Sequence, residues 1–232
     1  MFVIGVDLAS QQDWTALSVL ETKSSSGRRS MLCGALQRWR ASYPDTVERV
    51  AAIAQRRAFR DAVLAVDQTG VGRPVVDMLR VALPGRKIIG VTITAGSVAT
   101  KGEHKDDIRC PKKLLVSTLQ VLLAERRLTF SGEMPLLPTL QSELQNFKVK
   151  ITASANETFE AWRERDHDDL VLSVGLAAWV GENLPAPLSD ARVAGLVLNA
   201  PTLSGKELAA GEGVRSRMEQ LAEDHPALFA GE

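Results

Sequence analysis

Three short apolar runs in this chain are each bordered by aspartate, where a strand or helix would begin or end. Asp7 closes Phe2-Val3-Ile4-Gly5-Val6, Asp67 closes Ala62-Val63-Leu64-Ala65-Val66, and Asp168-Asp169 opens Leu170-Val171-Leu172-Ser173-Val174. If folding gathers these acids, carboxylates about 4 Å apart repel by roughly 4 kcal/mol per pair at an effective dielectric near 20. Such a cluster needs a compensating cation or proton. Oxygen-only donors suit hard divalent ions, Mg²⁺ or Mn²⁺.

A chain of 232 residues that is 45% hydrophobic can bury one sizeable core, and its length suits one domain with an appendage. The boundary is expected near residue 183: residues 1–183 form the folded unit and 184–232, rich in Pro, Gly, Ala and charge, a tail or partner-docking segment. The formal net charge is zero, which excludes a protein that coats nucleic acid by bulk charge and leaves room for a local basic surface. Cys33 and Cys110 have no Cys or His partners at zinc-finger spacing, so a reducing cytoplasm fits. No run approaches the roughly 18 apolar residues of a membrane span.

The order of elements is informative. Strands are expected at Phe2–Val6, Trp14–Leu20 and Met31–Arg38, separated by polar turns, which makes an antiparallel meander. A helix starts at Pro44-Asp45 and ends near Arg57. Strand Ala62–Val66, a helix carrying Val75, Val76 and Leu79, and strand Lys87–Ile93 form a βαβ unit, right-handed by default. After a polar stretch from Thr94 to Arg109, an amphipathic helix begins at Pro111 with Leu114, Leu115, Thr118, Leu119 and Leu122 on one face. A shorter helix over Thr139–Phe147, a hairpin of Lys148–Ile151 with Thr158–Trp162, and a helix from His167 to Trp179 complete the unit. Trp162 and Trp179 read as core or hairpin packing. In the tail, Val193–Leu198 and Val214–Leu221 alone carry apolar patterning.

Three antiparallel strands followed by alternating helices and strands is the order of a ribonuclease H-like α/β fold, a mixed sheet flanked by helices. Gly5-Val6-Asp7 with Asp13-Trp14-Thr15-Ala16-Leu17, then Val66-Asp67-Gln68-Thr69-Gly70-Val71-Gly72, then His167-Asp168-Asp169-Leu170-Val171 with Ala177-Ala178-Trp179, taken in this order, resemble the C-terminal nuclease domain of phage terminase large subunits. Pro111-Lys112-Lys113-Leu114-Leu115 and Leu140-Gln141-Ser142-Glu143-Leu144-Gln145-Asn146-Phe147 resemble that family's middle region. The resemblance covers approximately Met1 to Gly181. The Gly-x-x-x-x-Gly-Lys-Ser/Thr phosphate loop of the packaging ATPase does not occur, so this chain is expected to cut DNA and not to pump it. An excised domain, a separately encoded part and a freestanding relative all remain open.

The resemblance implies a metal-dependent endonuclease acting on double-stranded viral DNA in the cytoplasm of a bacterial host, with the packaging ATPase, portal and small terminase subunit as possible partners and no membrane. It gives Asp7 the role of bridging two divalent ions, Mg²⁺ or Mn²⁺, and makes Asp67 the central ligand and Asp168-Asp169 the late-helix position. Asp169 is favoured as the direct ligand; Asp168 holds a water or caps the helix. The central acid is often Glu in this family, so Asp67 is a departure. Two ions about 3.5–4 Å apart suit activation of water and stabilisation of a leaving 3′ oxygen. Asp13 and His167 are assisting candidates. Gly70, Gly72 and Arg73 sit at a helix start that can approach a DNA phosphate. Lys101, Lys105, Arg109, Lys112 and Lys113 form a basic stretch able to grip the backbone without reading sequence, or a solvated surface.

Other functions compete. A Holliday-junction resolvase on the same fold would prefer branched DNA. Asp7-Leu8-Ala9-Ser10 with Asp13-Trp14-Thr15 is similar to the phosphate-binding hairpin of sugar-kinase or actin-like ATPases, but its turn lacks glycine. An inactive nuclease-like module that docks a packaging motor is the non-enzymatic reading, and the intact acids argue against it.

Overall fold

The computed structural model describes residues 1–10, 12–25, 27–70, 72–132, 134–146 and 168–184. Within them an eight-stranded mixed sheet runs in the order β6-β7-β5-β4-β1-β2-β3-β8. The strands β1 (Phe2–Asp7), β2 (Thr15–Ser25) and β3 (Arg28–Trp39) form the expected antiparallel meander, with a register shift at Val19/Leu20. Strand β4 (Val63–Asp67) pairs parallel to β1, and β5 (Ile88–Thr94) parallel to β4. Between β4 and β5 the chain forms α2 (Gly72–Ala82), completing the βαβ unit.

Period-two alternation sorts side chains to the two faces. Phe2, Ile4 and Val6 of β1 pack with Leu64 and Val66 of β4 under α1 (Tyr43–Ala54) and α2, which contribute Val47, Val50, Val75, Val76 and Leu79. Val3 and Ala65 face the other way, toward α3 (Lys112–Ala124), α4 (Leu137–Asn146) and α5 (Asp169–Asn183). Asp7 and Asp67 share the parity of Val3 and Ala65, which puts both on the α5 side. Helix α1 starts where Ser42 Oγ accepts from the Asp45 N–H at 3.3 Å, just ahead of Pro44. Trp179 is buried in the α5-side core, as expected.

The polar stretch expected from Thr94 to Arg109 is not all loop. It holds β6 (Thr100–Lys101), antiparallel to β7 (Ile108–Pro111), which extends the sheet parallel to β5; a further short strand, β8 (Leu128–Phe130), pairs parallel to β3. Strands this short exist by pairing with a sheet edge and leave little pattern of their own. The hairpin over 148–162 and the tail segments lie outside the described residues.

Helix α5 lies against β1 and β2 and reaches β4. Its approach requires Gly5: a Cβ there would run into the Ser173 carbonyl oxygen and stand 3.0 Å from Ala177 Cβ. Both ends of α5 are tied to other elements. At its carboxyl end, Arg29 of β3 donates to the Gly181 and Leu184 carbonyls, and Arg127 pairs with Glu182 at 3.0 Å. Gly5→Ala is therefore expected to destabilise by about 3 kcal/mol or more, since the obstruction is backbone that cannot repack. Urea denaturation checks it, and an unchanged midpoint would show that α5 does not need that close approach.

Candidate active site

The parallel pairing of β1 with β4 in the register Val6↔Val66 brings the strand-terminal residues Asp7 and Asp67 side by side. The first turn of α5 brings Asp168 and Asp169 over them. Asp7, Asp67 and Asp169 are all buried. Burial raises the Asp7 carboxyl well above the ordinary carboxylate range; the charges of Asp67, Asp169 and Asp168 raise it further, while Lys112 opposes them. The acids of all three sequence signatures thus act on one another through the Asp7 carboxyl.

Each of the other acids has a defined partner. Asp67 Oδ1 accepts from the Thr69 N–H at 2.8 Å and from the Thr69 hydroxyl, an Asx-type turn that fixes the carboxylate as the chain leaves β4. Thr69 Oγ1 in turn accepts from the Ile93 N–H at 2.8 Å, anchoring the turn to β5. Asp168 is 2.9 Å from Lys112 Nζ. Asp169 Oδ2 is 3.3 Å from Arg38 Nη2.

Two sequence expectations change here. Asp168 stands at the N-cap of α5 but its side chain makes no capping bond. Lys112, expected in a DNA-gripping stretch or a solvated surface, is part-buried, and its Nζ donates to Asp168 Oδ2 at 2.9 Å. Capping of α5 falls to Glu143 on α4, whose Oε2 accepts from the Leu170 and Val171 N–H groups at 3.0 and 3.1 Å. Burial, chiefly, pushes the Glu143 carboxyl up to about 7. Arg38 lies between the two acids, 3.6 Å from Glu143 Oε1, with its guanidinium 4.6 Å from the centre of the Trp14 ring.

Among the described residues no three His, Cys, Asp or Glu side chains stand close enough together to hold a metal ion as they lie. The donor set nevertheless fits a hard divalent cation. It is all oxygen, it comes from two strand ends and one helix start, and Asp7 carries a pKa raised first by burial and then by its negative neighbours.

Beyond Asp67 lies a cavity of about 310 Å³ lined by Gln68, Gly70, Arg73, Thr92, Thr94, Gly102, Glu103 and Arg109. Gly70 has φ +63°, and Gly72 begins α2 so close to the Asp67 carbonyl that a Cβ would stand 2.6 Å from it. Glu103 faces both arginines, 2.8 Å from Arg73 and 3.9 Å from Arg109. Lys101, Lys105 and Lys113 are exposed. Asp13 is exposed in the β1–β2 turn, its Oδ1 accepting from the Trp14 N–H at 2.9 Å. His167 lies outside the described residues.

Residues 4–178 match the family described as the terminase RNaseH-like domain. The chain belongs to that family. Among solved structures, a fowlpox virus Holliday junction resolvase is similar at 14% identity, with 79% of this chain and 100% of that chain covered and a TM-score of 0.41. Similarity at that level bears on neither fold nor activity. Among curated proteins no match is found.

Membership of the terminase RNaseH-like domain family places the chain in a superfamily of nucleases and agrees with the mixed sheet described above. Sequence reasoning on this family member passed over Arg38, and gave Glu143 no role although it lay in a quoted segment. The available signal was the Leu140-Gln141-Ser142-Glu143-Leu144 pattern, in which a carboxylate stands on the apolar face of a helix.

A raised carboxyl pKa has a definite sign. The folded chain binds the Asp7 proton more tightly than the unfolded chain, so metal-free stability falls as pH rises from about 4 through the raised folded value. Asp7→Asn removes that titration. Its melting temperature in EDTA at pH 7 is expected above that of the wild type, with a flatter profile between about pH 4 and 7. Identical pH profiles by thermal denaturation would show that Asp7 carries no such strain.

Proposed function

We propose that this chain is a divalent-metal-dependent DNA endonuclease that cuts duplex viral DNA in terminase-type packaging, with Asp7, Asp67 and Asp169 as direct ligands and Asp168 beside them. The observation that carries the reading is the convergence of these acids where β1 and β4 end beneath the first turn of α5, within a member of the terminase RNaseH-like domain family.

Two divalent ions bound there would supply the positive charge that phosphodiester hydrolysis needs, for the attacking water and for the departing oxygen. The residues do the rest. Asp7 stands between the acids of β4 and α5 and serves both; Thr69 keeps Asp67 from rotating out of reach. Lys112 and Arg38 hold Asp168 and Asp169 as counter-ions while no cation is bound, and so limit the repulsion that would otherwise spread the site. In the reaction the water oxygen bonds phosphorus in line with the P–O3′ bond, which breaks to leave a 5′ phosphate and a 3′ hydroxyl. Arg73 and Arg109, in the cavity beyond Asp67, take DNA phosphates in exchange for Glu103, and the exposed Lys101, Lys105 and Lys113 add non-specific attraction. The Gly70–Gly72 turn offers a close backbone approach. Asp13, exposed in the β1–β2 turn, and His167 remain assisting candidates.

The packaging ATPase, portal and small terminase subunit are the partners this role entails, in the cytoplasm of a bacterial host. Among the described residues no helix is long and apolar enough to cross a membrane.

Supercoiled plasmid incubated with the purified chain in Mg²⁺, Mn²⁺ or EDTA tests the reading. Metal-dependent nicking is expected. It should fall in Asp67→Asn by more than the roughly 100-fold that loss of an outer partner of a metal ligand costs. Equal cutting by that variant would remove the site assignment, and DNA binding without cleavage under either metal would favour a docking module. Arg73→Ala and Arg109→Ala are expected to weaken DNA binding about equally across sequences and to reduce the salt slope by about 1 each, measured by fluorescence anisotropy.

A further inference from the structure

The first N–H groups of a helix have no partners within it, and a Ser, Thr, Asn or Asp just before the first turn ordinarily supplies one. Helix α5 has Asp168 in that place and does not use it for that purpose. The acceptor comes instead from 27 residues upstream in sequence, from Glu143 on α4, and it takes two N–H groups at once. Glu143 is only 6% exposed, so this puts another carboxylate beside Asp169 in a buried setting. A local cap would meet the backbone's need without adding that charge. The arrangement has a different consequence. The two N–H groups belong to Leu170 and Val171, the residues that follow Asp169, so Glu143 fixes the rotation of the turn from which Asp169 projects. Arg38 offsets the added charge: one end of its guanidinium faces Glu143 at 3.6 Å and the other Asp169 at 3.3 Å. The Trp14 ring beneath it, with Arg40 also 4.4 Å from the ring centre, restricts where that guanidinium can go.

We infer that Glu143 is a positioning residue for Asp169: by clamping the first turn of α5 it aims the Asp169 carboxylate at Asp7, with Arg38 as the counter-ion that lets two buried acids stand together. This rests on the reading of Asp169 as a metal ligand.

The test separates geometry from charge with two variants. Glu143→Asp keeps the charge but is one methylene too short to reach both N–H groups. Glu143→Gln loses the charge but keeps an acceptor of the right length. Mn²⁺ binding to the DNA-free chain is measured by calorimetry, beside melting temperature and the kcat and KM of plasmid cleavage. Glu143→Asp is expected to bind Mn²⁺ about 10–100-fold more weakly, to lower kcat with little change in KM for DNA, and to melt only about 2–4 °C lower. Glu143→Gln is expected to bind closer to the wild type than to Glu143→Asp. Mn²⁺ binding by Glu143→Asp equal to or tighter than that by Glu143→Gln would overturn the inference, because charge or capping alone would then account for Glu143. If the wild-type chain and Asp169→Asn bind Mn²⁺ equally, the ligand reading fails as well, which distinguishes that failure from the first.

Discussion

Crowding of like charge in a buried place is the constraint on which the rest of this structure turns. Carboxylates from two strand ends and one helix start are buried and act on one another, and each must be neutralised, hydrogen-bonded or paired. The fold meets the need unevenly. Asp67 takes two bonds from Thr69, Asp168 takes Lys112, and Asp169 takes one end of Arg38. Asp7 has the burden of burial and of its neighbours' charges, and its carboxyl is raised well above the ordinary range. The repulsion cannot be relieved by movement of α5. That helix is pressed on the backbone at Gly5, capped by Glu143 at one end and held by Arg29 and Arg127 at the other.

A second buried aspartate shows that burial alone does not make this signature. Asp107 is only 3% exposed, yet its carboxyl lies below the ordinary value. Burial would raise it, but Arg80 at 2.5 Å, the Gln68 side chain and the His104 N–H outweigh burial by stabilising the charged form. Asp107 pins the β6–β7 turn, its carbonyl accepting from the Gly102 N–H. At Asp7 the neighbours are mostly anions; at Asp107 they are donors and a cation. The contrast is that between a carboxyl set mostly among like charges and one already matched by positive charge.

Much of this arrangement was legible in the sequence, for physical reasons. The apolar runs ending in Asp7 and Asp67 are long enough to be recognised as strands, their parity sets the face of each acid, and the βαβ unit sets their adjacency. What was illegible depends on partners distant in the chain. Strands β6, β7 and β8 are too short to announce themselves. Lys112 reads as surface charge until α3 is packed on α5, and Asp168 reads as a helix cap until Lys112 claims it. Arg38 is one polar residue near the end of a strand, and only its position between Glu143 and Asp169 distinguishes it. The hairpin over 148–162 and His167 lie outside the described residues.

The neutral net charge of the chain constrains how a duplex could reach such a site. With no bulk attraction, approach depends on local basic groups, and the two that line the cavity beyond Asp67 are both faced by Glu103. Those pairs are largely exposed, and exposed pairs contribute only about 0–1 kcal/mol each, so a phosphate displaces Glu103 at small cost. On the proposed reading the acid serves as a placeholder that keeps Arg73 and Arg109 extended across the mouth of the cavity. The same logic holds deeper in. Lys112 and Arg38 occupy, with fixed positive charge, the neighbourhood that a divalent ion would enter. Anions in the groove and cations in the site thus stand where DNA and metal would go. On the proposed reading each is a provisional partner, exchanged when the ligand of the same charge arrives.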